Sequence, residues 1–221
     1  PLFLTSRTLQ AWMTLEKVDL TTIGLFSLVG LPYSTKFLWS PIIDRYSLPF
    51  LGRRRGWMAL TQAALALAIA ALAFGNPRTA LLAFAITALT VSFLSATQDI
   101  VIDAYRVDVL EPREMGAGIA LYVVGYRAAL LITGSAALIL ADRMSWNSVY
   151  LLMAALMLLG LAATAWAPEP SRVEKPPETL TEAIIEPFHR LAIATSNTAA
   201  SGTASRMKSV NDCEDCPPIC A

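Results

Sequence analysis

Asp99 is the only charged residue between positions 80 and 102, in a stretch that is otherwise apolar or hydroxylic. An acid in such surroundings has two uses. A low-dielectric environment favours its neutral form and a nearby cation favours the carboxylate, so a change of surroundings can load or unload a proton; alternatively it stays ionised as a structural partner. Asp103 follows one turn later as a second proton-relay candidate, or as a charge at a helix end, where it is cheap to keep. Lys36 and Arg127 are likewise the lone charges of 20–43 and 115–141. Arg127, beside Tyr126 and one turn from Tyr122, can grip a carboxylate with its planar fork while the phenol rings offer flat faces to a sugar, or it can serve only as counter-ion to Asp99. Gln98, Lys36, Arg127, Tyr126 and Tyr122 therefore form the candidate binding set, with Asp99 and Asp103 as the candidate proton-coupling pair.

Other chemistry has little to build on. The single histidine is His189, and the three cysteines, Cys213, Cys216 and Cys220, fall in the last nine residues. Their spacing could touch zinc or an iron–sulfur cluster, but three thiols with two intervening prolines and no nearby histidine read as an unstructured end, so no metal and no cofactor is expected. No nucleophile–base pair, carboxylate dyad or phosphate-cradling glycine loop stands on a plausible catalytic scaffold, which argues against an enzyme. Seventeen basic and seventeen acidic residues cancel, giving no field that would attract nucleic acid.

The elements that must carry these residues follow from composition. Of 221 residues, 55% are hydrophobic and 15% charged, and the mean hydropathy is +0.53. Five segments, 20–43, 56–75, 80–102, 115–141 and 146–167, each hold at most one charge and meet the roughly 20 apolar residues a helix needs to cross hydrocarbon. AALALAIAALAF and YLLMAALMLLGLAATAW are apolar all round, where a helix on a soluble protein would keep a polar face, and they do not alternate as barrel strands do. The fold class is all-α, a polytopic helical membrane protein with the lipid bilayer as its solvent. Pro32 predicts a kink in the first of the five spans.

Span midpoints near residues 32, 91 and 128, with about 1.5 Å rise per residue, put Lys36 roughly 6 Å and Asp99 about 12 Å toward one face and Arg127 near the centre. A Lys36–Asp99 or an Arg127–Asp99 pair is then within side-chain reach. Ser92, Ser95, Asp99 and Asp103 recur at intervals of three and four, predicting one polar stripe on a single helix face that lines water. Gly116, Gly118, Gly125, Ala129, Gly134 and Ala137 read as close-packing positions between helices.

Connections 44–55, 104–114 and 169–190 carry nine Lys and Arg, against four in 1–19, 76–79 and 142–145, so the first set is expected in the cytoplasm. Trp39, Trp57, Trp146 and Trp166 at span ends, with Trp12 just outside, read as interfacial anchors. In the first basic turn, Asp44-Arg45 is followed by Gly52-Arg53-Arg54-Arg55-Gly56. An acid closing one helix and arginines opening the next can form a charge network that locks or releases a conformation, with Asp44, Arg45, Gly52, Arg53 and Arg54 as its members. The same arginines could instead only set topology and bind anionic headgroups.

This Asp-Arg…Gly-Arg-Arg pattern resembles the loop between the second and third helices of the major facilitator superfamily. The stretch TLQAWMTLEKVDLTTIGLFSLVGLPYSTKFLWSPIIDRYSLPFLGRRRGW is similar to the AmpG-type muropeptide permeases, and SATQDIVIDAYRVDVL, GAGIALYVVGYR and LLMAALMLLGLAATAWAPEP continue the resemblance in order. It covers about residues 1–188. It implies proton-linked import of anhydro-muropeptides for cell-wall recycling across the bacterial cytoplasmic membrane, by alternating access, and it tilts Arg127 toward a binding role. It also implies that residues 1–19 are the end of a first helix and a periplasmic loop, 20–167 a five-span membrane domain, and 168–190 a cytoplasmic linker. The family's C-terminal half is then a missing partner. Residues 191–221, Ser/Thr/Ala-rich and then NDCEDCPPICA, read as a disordered tail whose abrupt change of composition fits a shift of reading frame. Two other readings stay open: an acetyl-CoA transporter-like permease, and an inactive membrane fragment.

Overall fold

The computed structural model describes residues 3–46 and 52–168. Every regular element among them is helical, as composition predicts. Four helices are long and apolar enough to cross a membrane: α5 (Arg53–Phe74), α6 (Leu81–Val109), the continuous stretch Met115–Ala141, and α9 (Trp146–Trp166). The third of these comprises α7 (Met115–Leu130), a π-helical stretch Leu131–Ala136, and α8 (Ala137–Ala141). At about 1.5 Å per residue the 22 residues of α5 span about 33 Å, enough for a hydrocarbon core of about 30 Å.

The expected fifth span, 20–43, is helical but not one rod. It divides into α2 (Leu20–Leu25), α3 (Leu31–Thr35) and α4 (Ser40–Arg45), joined by 3₁₀ stretches Phe26–Gly30 and Lys36–Leu38. Two prolines are the local cause. Pro32 and Pro41 each sit in the first turn of a new helix, α3 and α4, where a missing N–H is tolerated. Hydroxyls bond backbone carbonyls near the breaks: Thr35 Oγ1 donates to the Leu31 carbonyl at 3.0 Å and Ser40 Oγ to that of Phe37 at 3.3 Å. Hydropathy reports that a segment suits lipid, not that its backbone is continuous, so the predicted single kink becomes two breaks.

Ahead of this segment, a π-helical turn (Leu4–Thr8) and α1 (Leu9–Leu15) form a buried helical lead, with Leu4, Leu9 and Met13 at the centre of the main core. Trp12 corrects its expected role as an interfacial anchor. It is 3% exposed, stacked on Trp146 at 5.9 Å, edge-on to Phe84 at 5.3 Å and tilted against Tyr150 at 5.2 Å. Trp166, the last residue of α9, is 89% exposed.

The tightest packing is α5 against α9 and α6. Leu65, Ile69, Leu72 and Ala73 of α5 join Val149, Tyr150, Met153 and Ala154 of α9 in one core with Phe84, Ala88 and Val91 of α6. Polar contacts close both ends of the α5–α9 seam: Thr164 Oγ1 donates to Gln62 Oε1 at 2.8 Å, and Asn147 Nδ2 to the Ala73 carbonyl at 2.7 Å. In lipid such interhelical bonds are each worth about 0.6–2 kcal/mol.

Candidate functional site

The polar stripe forms on α6, which is longer than its apolar window. Its 29 residues rise about 43 Å, so its midpoint is residue 95 and Asp99 lies about 6 Å from the middle of the helix. Asp103 is correspondingly not a terminal charge, because α6 continues to Val109. The reason is side-chain pairing. Asp103 Oδ1 accepts from Arg106 Nη2 at 3.2 Å, the Arg106 guanidinium lies 4.3 Å from the centroid of the Tyr122 ring, and Asp108 Oδ2 accepts from Arg54 Nε at 2.6 Å. Charges that end a hydropathy window are here held by neighbours, so the helix need not stop.

Ser92 and Ser95 are fully buried, while Asp99 and Asp103 are half-buried, so the stripe opens as it descends. Tyr33 on α3 donates a hydrogen bond to Ser95 Oγ, and Trp39 donates from Nε1 to Thr97 Oγ1 at 3.2 Å. These two bonds stitch the broken segment to α6 at positions flanking Lys36 by three residues on either side. Lys36 is half-buried, and no ion pair within 4 Å joins it to Asp99. Among the described residues Asp99 has no hydrogen bond and no ion pair. Ser92 Oγ and Gln98 Oε1 are buried without a hydrogen-bond partner among the described residues. The segment and α6 thus carry a carboxyl side chain, a half-buried lysine not ion-paired with it, and two buried polar groups without a partner among the described residues.

Arg127 is not brought to this cluster. It is exposed on α7 and makes no hydrogen bond or ion pair among the described residues, so the Arg127–Asp99 pair does not form. Tyr126 and Tyr122 stack at 6.4 Å with planes 20° apart. Tyr122 reaches the stripe through Arg106, so the aromatic pair links the two helices while Arg127 stands clear. Of the small residues on this span, Gly118 approaches the Leu110 side chain closely and Gly134 meets Phe3, but Gly116 and Gly125 have open space where a side chain would be. For those two no packing neighbour is found among the described residues.

The basic turn is clamped at both sides of α5. Gly52 has φ 86°, a left-handed conformation that glycine alone adopts cheaply, and its carbonyl accepts from the Gly56 N–H at 3.0 Å. Arg54 is 9% exposed and paired with Asp108 at the end of α6. Arg55 donates from Nη2 to the Ala165 carbonyl at 2.6 Å and from Nε to that of Thr164 at 3.4 Å, placing a cation at the C-terminal end of α9, where the helix dipole favours it. Trp57 Nε1 donates to the Tyr46 carbonyl at 2.6 Å. Arg45 is half-buried and makes no ion pair among the described residues. The side chains of Asp44 and Arg53 lie outside what the structure describes, as do residues 47–51 and 169–221, which include the expected linker, the tail, His189 and the three cysteines.

Three participants escaped the sequence reading. Arg106 continues the three-and-four recurrence of Ser92, Ser95, Asp99 and Asp103, although its place in a basic connection marks it only as a topology charge. Asp108 and Tyr33 carried no such signal, since each is paired with a residue more than fifty positions away.

Comparison with known proteins agrees with this architecture. The chain is 53% identical over 189 residues to the anhydromuropeptide permease of Escherichia coli strain K12, covering 85% of this chain and 38% of that protein. It is 41% identical over 174 residues to an uncharacterized protein of Haemophilus influenzae, covering 79% of this chain and 41% of that one. It is 38% identical over 164 residues to a putative transporter, AmpG 1, of Rickettsia conorii, covering 72% of this chain and 39% of that one. The chain thus spans about two fifths of the length of these relatives. Residues 3–206 match the profile of the Major Facilitator Superfamily, and with its membrane-length helices and the polar stripe on α6 the chain belongs to that superfamily.

Proposed function

We propose that this chain forms part of a transporter that imports anhydromuropeptides across the bacterial cytoplasmic membrane, coupled to protons and working by alternating access. The observation that carries the mechanism is Asp99, half-buried on a membrane-length helix with Lys36 near it and no bonded partner among the described residues. Protonation of such an acid biases the two conformations by its differential interaction with each. The substrate class is supported by the similarity to the anhydromuropeptide permease. Muropeptides carry carboxylates and sugar faces, which Arg127 and the Tyr122–Tyr126 pair would hold. The Arg54–Asp108 and Arg55–α9 contacts would latch the arginine end of the bundle in one conformation. Binding and conformational change, rather than covalent catalysis, account for these groups.

The test is uptake of labelled anhydromuropeptide in a bacterium lacking its own permease, expressing this chain alone and together with the remaining C-terminal part of the E. coli protein. Uptake in the second case that is lost with Asp99→Asn is the expected result. Uptake of labelled acetyl-CoA instead, or no uptake in either case with both polypeptides present in the membrane, overturns the proposal.

A further inference from the structure

Two adjoining hollows lie away from the polar stripe. The larger is an apolar groove of about 900 Å³ between the broken segment and the first half of α6, walled by Leu25, Leu28 and Pro32 on one side and Leu82, Leu89 and Phe93 on the other. The smaller, about 450 Å³, has a mixed lining in which Glu16, Lys17, Asp19 and Arg78 stand among Val18, Pro77 and Leu81. They share Thr22 and Leu81, so one runs into the other. Both open at the end of α6 opposite the arginine turn, since α5 runs from that turn to the 75–80 connection.

We infer that this paired hollow binds one zwitterionic phospholipid, its acyl chain in the groove and its headgroup in the smaller hollow. Length supports it: from Leu81 to Phe93 the groove follows α6 for about 18 Å, close to half of a hydrocarbon core of about 30 Å. Chemistry supports it as well, because apolar walls give way to charge at the depth where a lipid changes from tail to head. The charges also match a head of both signs. Arg78 is bound to Glu16 at 2.7 Å, and the Asp19 carboxylate caps α2 by accepting from the Thr21 N–H at 3.0 Å, which fixes two acids and one base in place. Lys17 is exposed and makes no hydrogen bond or ion pair through its side chain among the described residues, leaving an ammonium for a phosphate while Asp19, which has no ion pair among the described residues, is left for the lipid's amine. A purely anionic head would gain the first contact and meet repulsion at the second.

The full chain, purified and stripped of lipid in detergent, is to be titrated with phosphatidylethanolamine and, separately, phosphatidylglycerol and followed by native mass spectrometry. Phosphatidylethanolamine is expected to give a one-to-one adduct at lower concentration than phosphatidylglycerol. Lys17→Gln is expected to weaken that adduct about fivefold, the loss of one interfacial cation, and Lys17→Arg to restore it. Ile86→Trp, which fills the groove from an exposed position, removes the adduct, whereas Leu121→Trp on α7 leaves it. Equal binding of the two lipids, or an adduct that survives Ile86→Trp, overturns the inference and leaves the groove to a protein helix or to unselective lipid. Neither outcome depends on whether muropeptide is carried.

Discussion

Helices α5 and α7 are similar in apolar character but not in environment. In the most apolar window of α5, 44% of residues are buried; in that of the Met115–Ala141 span, 6% are. Both windows have nearly the same mean hydropathy, 1.9 and 1.8, so composition does not separate them. What differs is partners. α5 lies between α6 and α9 and contributes Leu65, Ile69 and Leu72 to a closed core, while Leu121, Val124 and Tyr126 of α7 are exposed. In lipid both situations suit the solvent equally, because hydrocarbon is as good a neighbour as leucine and only packing and polar contacts favour association. The packed side of this protein therefore holds its shape, and the side that carries Arg127 and the open glycines retains surface for other contacts.

That contrast can be broken first where packing is densest. Trp12→Ala removes a ring from a four-aromatic cluster and is expected to cost about 3–5 kcal/mol, whereas Leu121→Ala should change stability by less than about 0.5 kcal/mol. Chemical unfolding in detergent micelles measures both; equal losses would mean that α7 is packed after all. Arg54→Ala should come next, at about 1.5–3 kcal/mol, since it leaves the Asp108 carboxylate without its charged partner, while Arg127→Ala should leave stability unchanged and abolish uptake in the reconstituted transporter. Thr164→Val, which removes the buried bond to Gln62, should cost about 0.6–2 kcal/mol in the same assay. The smallest and sharpest comparison uses one residue type. Gly75→Ala forces a Cβ to 2.7 Å from the Phe84 ring and should lower the unfolding midpoint, while Gly125→Ala meets nothing and should not.

Hydropathy located the spans well where nothing polar interrupted them. The predicted 146–167 and 115–141 match Trp146–Trp166 and Met115–Ala141, and 56–75 matches the body of α5. It failed in two opposite ways. It gave no sign that α6 runs on for seven residues past the 80–102 segment, because Asp103, Arg106 and Asp108 look like a boundary until their partners are known. It ran 20–43 together as one span, because Pro32 and Pro41 cost the backbone a hydrogen bond without costing the segment any hydrophobicity. At the site, Asp99, Asp103, Gln98 and Lys36 were legible as charges and amides where lipid disfavours them, and the stripe was legible from its spacing. Tyr33, Asp108 and the true place of Arg127 were not.

Residue type and interval alone indicated a helical membrane chain and which face of α6 is polar, since those follow from local transfer energies and the 3.6-residue turn of a helix. Which charges meet was decided only by the fold. Tyr33 reaches Ser95, Arg54 reaches Asp108 and Arg55 reaches the end of α9 across separations of 54 to 110 residues, while Arg127 reaches none of them. A contact of that kind depends on how helices lie against one another, and in a medium where every apolar face is equally comfortable the order of residues along one helix carries little record of its neighbour.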